Sequence, residues 1–201
     1  MRKVLYAAIL WLLSLTTATA QTVALNSDGL DSAYVESIVK RSQKIVDGLN
    51  LSNAQQAEAV RNIIANRYFL LNRIHEANKD NADKRDAELY KHHFELQSAL
   101  SLYLTDEQVD AVKDGMTFGR LKRDYQATQD MIPTLSDFEK QQILIWLKEA
   151  REYAMDAADS KGKHYWFDKY RGRTNNWLSA RGYDLKKECD EWMKRLEKEK
   201  K

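Results

Sequence analysis

The segment Leu104-Thr105-Asp106-Glu107-Gln108-Val109 carries a complete start signal for an α-helix. The threonine hydroxyl at the N-cap accepts a hydrogen bond from the N3 amide, and the glutamine at N3 returns one to the cap amide. The flanking leucine and valine form a hydrophobic staple. Leu51–Gln55 and Leu135–Glu139 repeat the box without the staple. We therefore expect three helices to begin at these boxes, with N-caps at Ser52, Thr105 and Ser136.

The rest of the chain also has a sequence pattern typical of helices. It has only seven glycines and one proline in 201 residues, and no stretch alternates with the period of a strand. Apolar residues at helical spacing predict long helices from Asn53 to about Ala77 and from Asp137 to about Ala158, and Asp184 is placed to cap a terminal helix. The pattern predicts an all-α fold of about six to seven helices, either a helical bundle or two packed helical hairpins.

The N-terminus has the order of a signal peptide. Arg2 and Lys3 precede the apolar run from Val4 to Leu15, and a small-residue Ala-x-Ala site ends at Ala20. The apolar run is too short to span a bilayer as an anchor. We predict that residues 1–20 are a cleaved signal peptide, that the protein is periplasmic or extracellular, and that it does not insert into the membrane. Residues 21–201 then form one helical domain, with a natural division at Pro133 into 21–132 and 133–201.

Charge and cysteine content limit the classes of partner. Without Arg2 and Lys3 the chain has 30 basic and 30 acidic residues, so nucleic acid is not an expected partner. Residues 161–201 hold 13 Lys or Arg against 7 Asp or Glu, an excess that we expect the acidic remainder of the chain to neutralise. The single cysteine, Cys189, excludes an internal disulfide. It falls on an apolar helix face, which predicts a buried thiol.

Two resemblances accompany these patterns. The helix-start boxes are similar to the Leu-Thr-x-x-Gln boxes of Spy and CpxP, small periplasmic stress proteins whose helices form a cradle for unfolded clients. A longer likeness runs from about Leu100 to Glu188, through Leu104–Val109, Lys113–Thr117, Glu149–Ala157 and Gly172–Leu185. Over this part the chain resembles a domain-of-unknown-function family of secreted bacterial proteins often found near polysaccharide-utilisation genes. The proximity to polysaccharide-utilisation genes implies a role in binding or processing glycans.

Four carboxylates share one face of a predicted helix: Glu149, Glu152, Asp156 and Asp159. Like charges at this spacing repel, so cations should lie opposite. After the turn at Lys161-Gly162 the chain returns with Lys163, Lys169, Arg171 and Arg173, and we expect these to form interhelical ion pairs with the stripe. A hard cation such as calcium is the alternative, although no looped oxygen cage accompanies the stripe.

The segment from His164 to Ala180 holds the candidate ligand-binding residues. Trp166, Phe167, Tyr170, Trp177 and Leu178 fall on one helix side, expected to be core. Gly172 inside a helix indicates a kink or a close approach of another group. Arginines and asparagine amides around it are suited to hydrogen-bonding sugar hydroxyls or a carboxylate. The predicted ligand-binding set is Asp168, Arg171, Arg173, Asn175 and Asn176.

No catalytic or metal-binding signature appears in the sequence, and no cofactor is predicted. His92 and His93 lack the spacing of a zinc site, and we expect them to have ordinary solvated and half-buried roles. The primary hypothesis is therefore an exported, non-enzymatic, chaperone-like binding protein that holds a protein client. The alternative is an accessory glycan-binding or glycan-processing protein. If it is an enzyme, Asp168 or Asp156 is the candidate acid or base and Arg171 the anion clamp.

Overall fold

The computed structural model describes residues 22–199. Within that range every regular element is a helix: α1 (Ser32–Asp47), α2 (Ala54–Ala77), α3 (Ala82–His92), α4 (Glu95–Leu100), α5 (Asp106–Met116), α6 (Arg120–Met131), α7 (Asp137–Met155), α8 (Ser160–Ala180) and α9 (Leu185–Glu199). The predicted all-α fold is confirmed. The number of helices in the described range is higher than expected, in part because the segment from Ala82 to Leu100 breaks at His93 and Phe94 into two helices, α3 and α4.

Two of the three helix-start boxes form as predicted. Thr105 caps α5 in a reciprocal exchange with Gln108, and Ser136 caps α7 in the same exchange with Glu139. The first box is wrong by one residue. α2 begins at Ala54, and its N-cap is Asn53, whose side chain accepts from the Gln56 amide at 3.1 Å. Asparagine caps as well as serine does, so the Ser-Asn pair offered two equivalent caps.

The helices enclose two hydrophobic clusters. The first joins α1, α2, α4 and α5 around Phe69, Ile64, Leu100 and Val112. The second joins α6, α7 and α8 around Ile143, Phe167 and Leu178. Met155, the last residue of α7, packs into the first cluster, whereas Ile143 and Leu147 of the same helix pack into the second. α7 therefore carries residues that belong to both cores.

α7 and α8 form an antiparallel hairpin whose turn spans residues 156–159. Ala150 and Ala154 are fully buried, and their small side chains permit a close approach of the two helices. Asp156 is the C-cap of α7, and Asp159 caps α8 by accepting from the Gly162 amide at 2.7 Å. This turn, facing the end of α3, positions the candidate site described below.

The terminal helix corrects the expectation for the cysteine. Lys187 N donates to the Asp184 side chain at 3.1 Å, as the predicted cap requires. However, α9 has no buried residue, and Cys189 is exposed. The helix lies at the edge of the bundle against α6 and α8, so only part of its apolar face, including Trp192 and Leu196, is half-covered. Cys189 lies outside that part.

The predicted signal peptide, residues 1–20, lies outside the described residues. Between residues 22 and 199, none of the helices combines the length and the apolar content needed to span a bilayer.

Candidate functional site

A cleft of about 660 Å³ opens between α3 and the α7–α8 hairpin. We call it the aromatic cleft. Its lining comes from α2, α3, α7, the hairpin turn and α8: His75, Arg85, Asp86, Leu89, Tyr90, His93, Phe94, Glu149, Glu152, Tyr153, Asp156, Ala157, Ala158, Asp159, Gly162 and Trp166. Its volume falls in the range of small-ligand sites, which bury most of a ligand against apolar walls and orient it with a few polar groups.

Aromatic rings stand at the mouth of the cleft. Tyr90 and Phe94, one turn apart at the end of α3, are 73% and 64% exposed. Tyr153 of α7 stacks on Trp166 of α8, with ring centroids 4.6 Å apart and an interplanar angle of 18°. The Lys169 ammonium lies 4.8 Å from the Trp166 ring centroid. Large rings left this exposed beside a concavity are suited to packing against a ligand.

Asp156 is the centre of a polar network at the bottom of the cleft. One carboxylate oxygen accepts from the Arg67 guanidinium, and the other lies 2.7 Å from His93 Nδ1. The backbone carbonyl of the same residue accepts from His75 Nε2 at 2.8 Å. Arg67 is buried on α2 and also donates to the His92 carbonyl at 2.8 Å. A single buried arginine thus connects α2, the end of α3 and the hairpin turn.

His93 lies between two carboxylates. Its Nε2 is 3.8 Å from Glu152 Oε2, and both oxygens of Glu152 accept from the buried Lys113 ammonium at 3.0 and 3.1 Å. The hydrogen bond to Asp156 raises the pKa of His93 above its ordinary value, against a smaller opposing effect of burial. The imidazole is therefore held in one orientation by the two carboxylates.

Two carboxylates of the predicted acidic stripe pair with cations that the sequence did not indicate. Of the four cations expected opposite the stripe, Arg173 forms an ion pair with it, 3.5 Å from Glu149. Glu152 and Asp156 take Lys113 and Arg67, from helices distant in sequence. No three His, Cys, Asp or Glu side chains within residues 22–199 form a group that could hold a metal ion.

Lys169 and Arg171 form no ion pair with the stripe, and that part of the interpretation is wrong: Lys169 lies over Trp166, and Arg171 pairs with Asp168 on its own helix at 3.3 Å. Lys163 is buried, and its Nζ donates to the Ala154 carbonyl at 3.3 Å. Burial lowers the pKa of Lys163 to about 8, and the Asp156 and Asp159 carboxylates of the stripe oppose that effect.

None of the five residues predicted to bind a ligand lines the aromatic cleft. Asp168 accepts from Arg120 at 2.7 Å and forms an ion pair with Arg171. The Arg173 guanidinium lies 4.7 Å from the centroid of the Trp146 ring. Asn175 is half-buried and Asn176 is exposed. A ligand role for this group stays a prediction.

No protein group approaches Gly172 closely, and that part of the interpretation is wrong. A Cβ built at that position would meet no atom within 4 Å, so no neighbouring side chain or backbone requires a glycine there. The glycine lies on an exposed stretch of α8. On the predicted core face of the same helix, Phe167, Tyr170 and Leu178 are buried as expected, while Trp166 and Trp177 are half-buried.

Comparison with known proteins gives one family. The family model described as a protein of unknown function (DUF3826) matches residues 35–85 and 77–198, which include all of the cleft lining. The match confirms the expected likeness to a domain-of-unknown-function family. No curated protein matches the chain.

Proposed function

We propose that this chain, which belongs to the DUF3826 family, is an exported binding protein that holds a neutral carbohydrate in the aromatic cleft. The observation that carries the proposal is the placing of exposed rings, Tyr90 and Phe94, above hydrogen-bonding carboxylates in one concave site. Export rests on the order of basic, apolar and small residues before Gln21.

The aromatic rings and the carboxylates of the cleft both match the chemistry of a sugar ring. The C–H groups of a pyranose face carry partial positive charge, so they pack favourably on the negative face of an aromatic ring. Sugar hydroxyls donate to carboxylates, and bonds to an ionised acceptor are the stronger class. Glu149, at the edge of the cleft, is 43% exposed and accessible to such a hydroxyl.

The charge state of the lining favours a neutral ligand over an acidic or a basic one. The carboxylates of the cleft already have protein partners: Asp86 has Arg85, Glu149 has Arg173, Glu152 has Lys113, Asp156 has Arg67, and Asp159 accepts from a backbone amide. A uronate would need an unpaired cation, and an amine would have to displace one of these pairs. A polyol needs only the remaining acceptor capacity of the oxygens.

The engagement of the central carboxylate favours binding without hydrolysis. Asp156 is fully engaged by His93 and Arg67, so it has little freedom to act as an acid or base.

The test is a screen of the purified protein against a glycan array, followed by calorimetric titration with the best neutral oligosaccharide. Replacing Phe94 by alanine should weaken binding about tenfold or more, since one lost stacking contact is worth about 1 kcal/mol beyond its area. The matched control is Phe138→Ala, which removes a ring of similar exposure at the start of α7, outside the cleft. Equal weakening by both variants would contradict the proposal.

A second candidate is chaperone-like holding of an unfolded protein. It is favoured by the exposed apolar surface of Tyr90 and Phe94, and by the likeness of the helix-start boxes to those of Spy and CpxP. A reduced, unfolded client distinguishes the two functions. Suppression of its aggregation that is lost in Phe94→Ala, with no neutral glycan bound by the native chain, would favour the second candidate.

A further inference from the structure

A second concavity, which we call the basic cavity, lies between α1 and α5. Its volume is about 430 Å³, and its lining includes Arg41, Lys44, Ile45, Leu49, Tyr68 and Phe118. The lining contains no carboxylate, and it shares no residue with the lining of the aromatic cleft. It is therefore a separate site with the opposite electrostatic character.

Two cations, Arg41 and Lys44, line this cavity without an acidic partner, and a third, Lys163, lies behind it. The Lys163 ammonium and the Arg41 guanidinium each lie 5.7 Å from the centroid of the Tyr68 ring. Among residues 22–199 no carboxylate lies within ion-pair distance of any of the three. An uncompensated positive field in a concave, partly apolar site attracts an anion.

Lys163 adds positive charge behind the cavity, although the Asp156 and Asp159 carboxylates already favour its charged form. It is 4% exposed, and its Nζ donates to a single carbonyl, that of Ala154, at 3.3 Å. The two carboxylates thus supply part of the negative charge that a buried, poorly solvated ammonium requires. Tyr68 is also buried, which raises its pKa to about 12 and keeps its hydroxyl neutral.

One residue of the cavity lining, Phe118, has a strained backbone. Phe118 lines the cavity with a φ of 61°, and Asn50, which follows Leu49 of the lining, has a φ of 52°. They are the non-glycine residues of the described chain with a left-handed backbone. Asparagine tolerates this conformation, but a phenylalanine there is an outlier, and such strain concentrates at ligand sites. The Phe118 ring is 47% exposed and stacks on His164 at 5.6 Å.

We infer that the basic cavity binds a small organic anion, with its acid group on Arg41 and Lys44 and its apolar body on Ile45, Leu49 and Phe118. An inorganic anion would use only the cations, whereas most of the lining is apolar side chain or glycine. The volume suits a ligand the size of one substituted ring. This site does not depend on the carbohydrate proposal.

Calorimetry on the full chain with three probes tests this inference: phenyl phosphate, inorganic phosphate and benzyl alcohol. Phenyl phosphate should bind at least about tenfold more tightly than either of the others, because it alone uses both the charged and the apolar parts of the site. Equal affinity for inorganic phosphate would overturn the organic part of the inference. Equal affinity for benzyl alcohol would overturn the anionic part.

Single substitutions test whether phenyl phosphate binds in the basic cavity. Arg41→Gln should weaken phenyl phosphate about tenfold or more, while Lys40→Gln, an exposed neighbour on α1 outside the lining, should leave it unchanged. Ala111→Leu fills the cavity without changing its charge and should also abolish binding. Thermal unfolding of each variant controls for folding. Equal binding by Arg41→Gln, Lys40→Gln and the native chain would overturn the site.

Discussion

His93 and Asp156, the C-cap residues of α3 and α7, are joined by a hydrogen bond of 2.7 Å between Nδ1 and Oδ2. The bond links residues that are 63 positions apart in sequence, and both of them line the aromatic cleft. Because Arg67 holds the other oxygen of Asp156, the position of Tyr90 and Phe94 over the cleft depends on this network.

The first prediction concerns pH. The His93 pKa is raised by Asp156, with Glu152 adding to the effect and burial and Arg67 opposing it. A raised folded-state pKa contributes stability that is complete below the unfolded value of about 6.5 and is lost as pH rises through the folded value. His93→Gln should therefore lower the free energy of unfolding more at mildly acidic pH than at pH values well above neutral. Denaturant titrations that give the same loss at both pH values would contradict this assignment.

The second prediction concerns the buried ion pair. Asp156→Asn removes the charge that compensates buried Arg67, so it should cost about 3 to 5 kcal/mol of unfolding free energy. The double variant Arg67→Met with Asp156→Asn should recover much of that loss, since no unpaired charge remains. Chemical denaturation measures both. A loss below about 1 kcal/mol in Asp156→Asn would mean that this pair contributes no more than an exposed surface ion pair, which would contradict the prediction.

The third prediction separates a surface ion pair from that network. Arg173 and Glu149 are both about half exposed and lie 3.5 Å apart, so Arg173→Gln should cost no more than about 1 kcal/mol. The loss should shrink further in molar salt, where exposed charges are screened. The loss in Asp156→Asn should persist in salt. If the two variants respond to salt alike, the distinction between exposed and buried pairs is wrong here.

The fourth prediction compares the capping residues of α5 and α2 with Ser52, which precedes the α2 cap and serves as the control. Thr105→Ala should destabilise the protein by about 0.5 to 2 kcal/mol through loss of the α5 cap. Asn53→Ala should cost a similar amount, because that residue caps α2. Ser52→Ala should change the unfolding midpoint little. A larger effect at Ser52 than at Asn53 would restore the original placing of the cap.

The helices were predictable because their signals are local. Caps such as Thr105 and Ser136, and small residues such as Ala154, act within a few residues of their position in the chain. The aromatic cleft was not predictable in this way, although its acidic side was recognised as a stripe that included Asp156. Arg67, His93 and Asp156 meet only through tertiary packing.

The break between α3 and α4 explains why the aromatic wall of the cleft, formed by Tyr90 and Phe94, could not be predicted from the sequence. It directs Phe94 outward beside His93, and no glycine or proline marks it in the sequence. The spacing of His93 with Leu89 and Leu96 indicates an apolar helix face. Only the structure shows that its ring turns toward Asp156.

The central claim is that a neutral sugar binds against the rings of the aromatic cleft, and intermolecular nuclear Overhauser effects test it most directly. With the chain saturated by the best neutral oligosaccharide from the array, the account predicts contacts from sugar C–H protons to the rings of Tyr90, Phe94 and Tyr153. Contacts confined to the Asn175 and Asn176 side chains, or an absence of contacts to the cleft rings in a saturated complex, would contradict it.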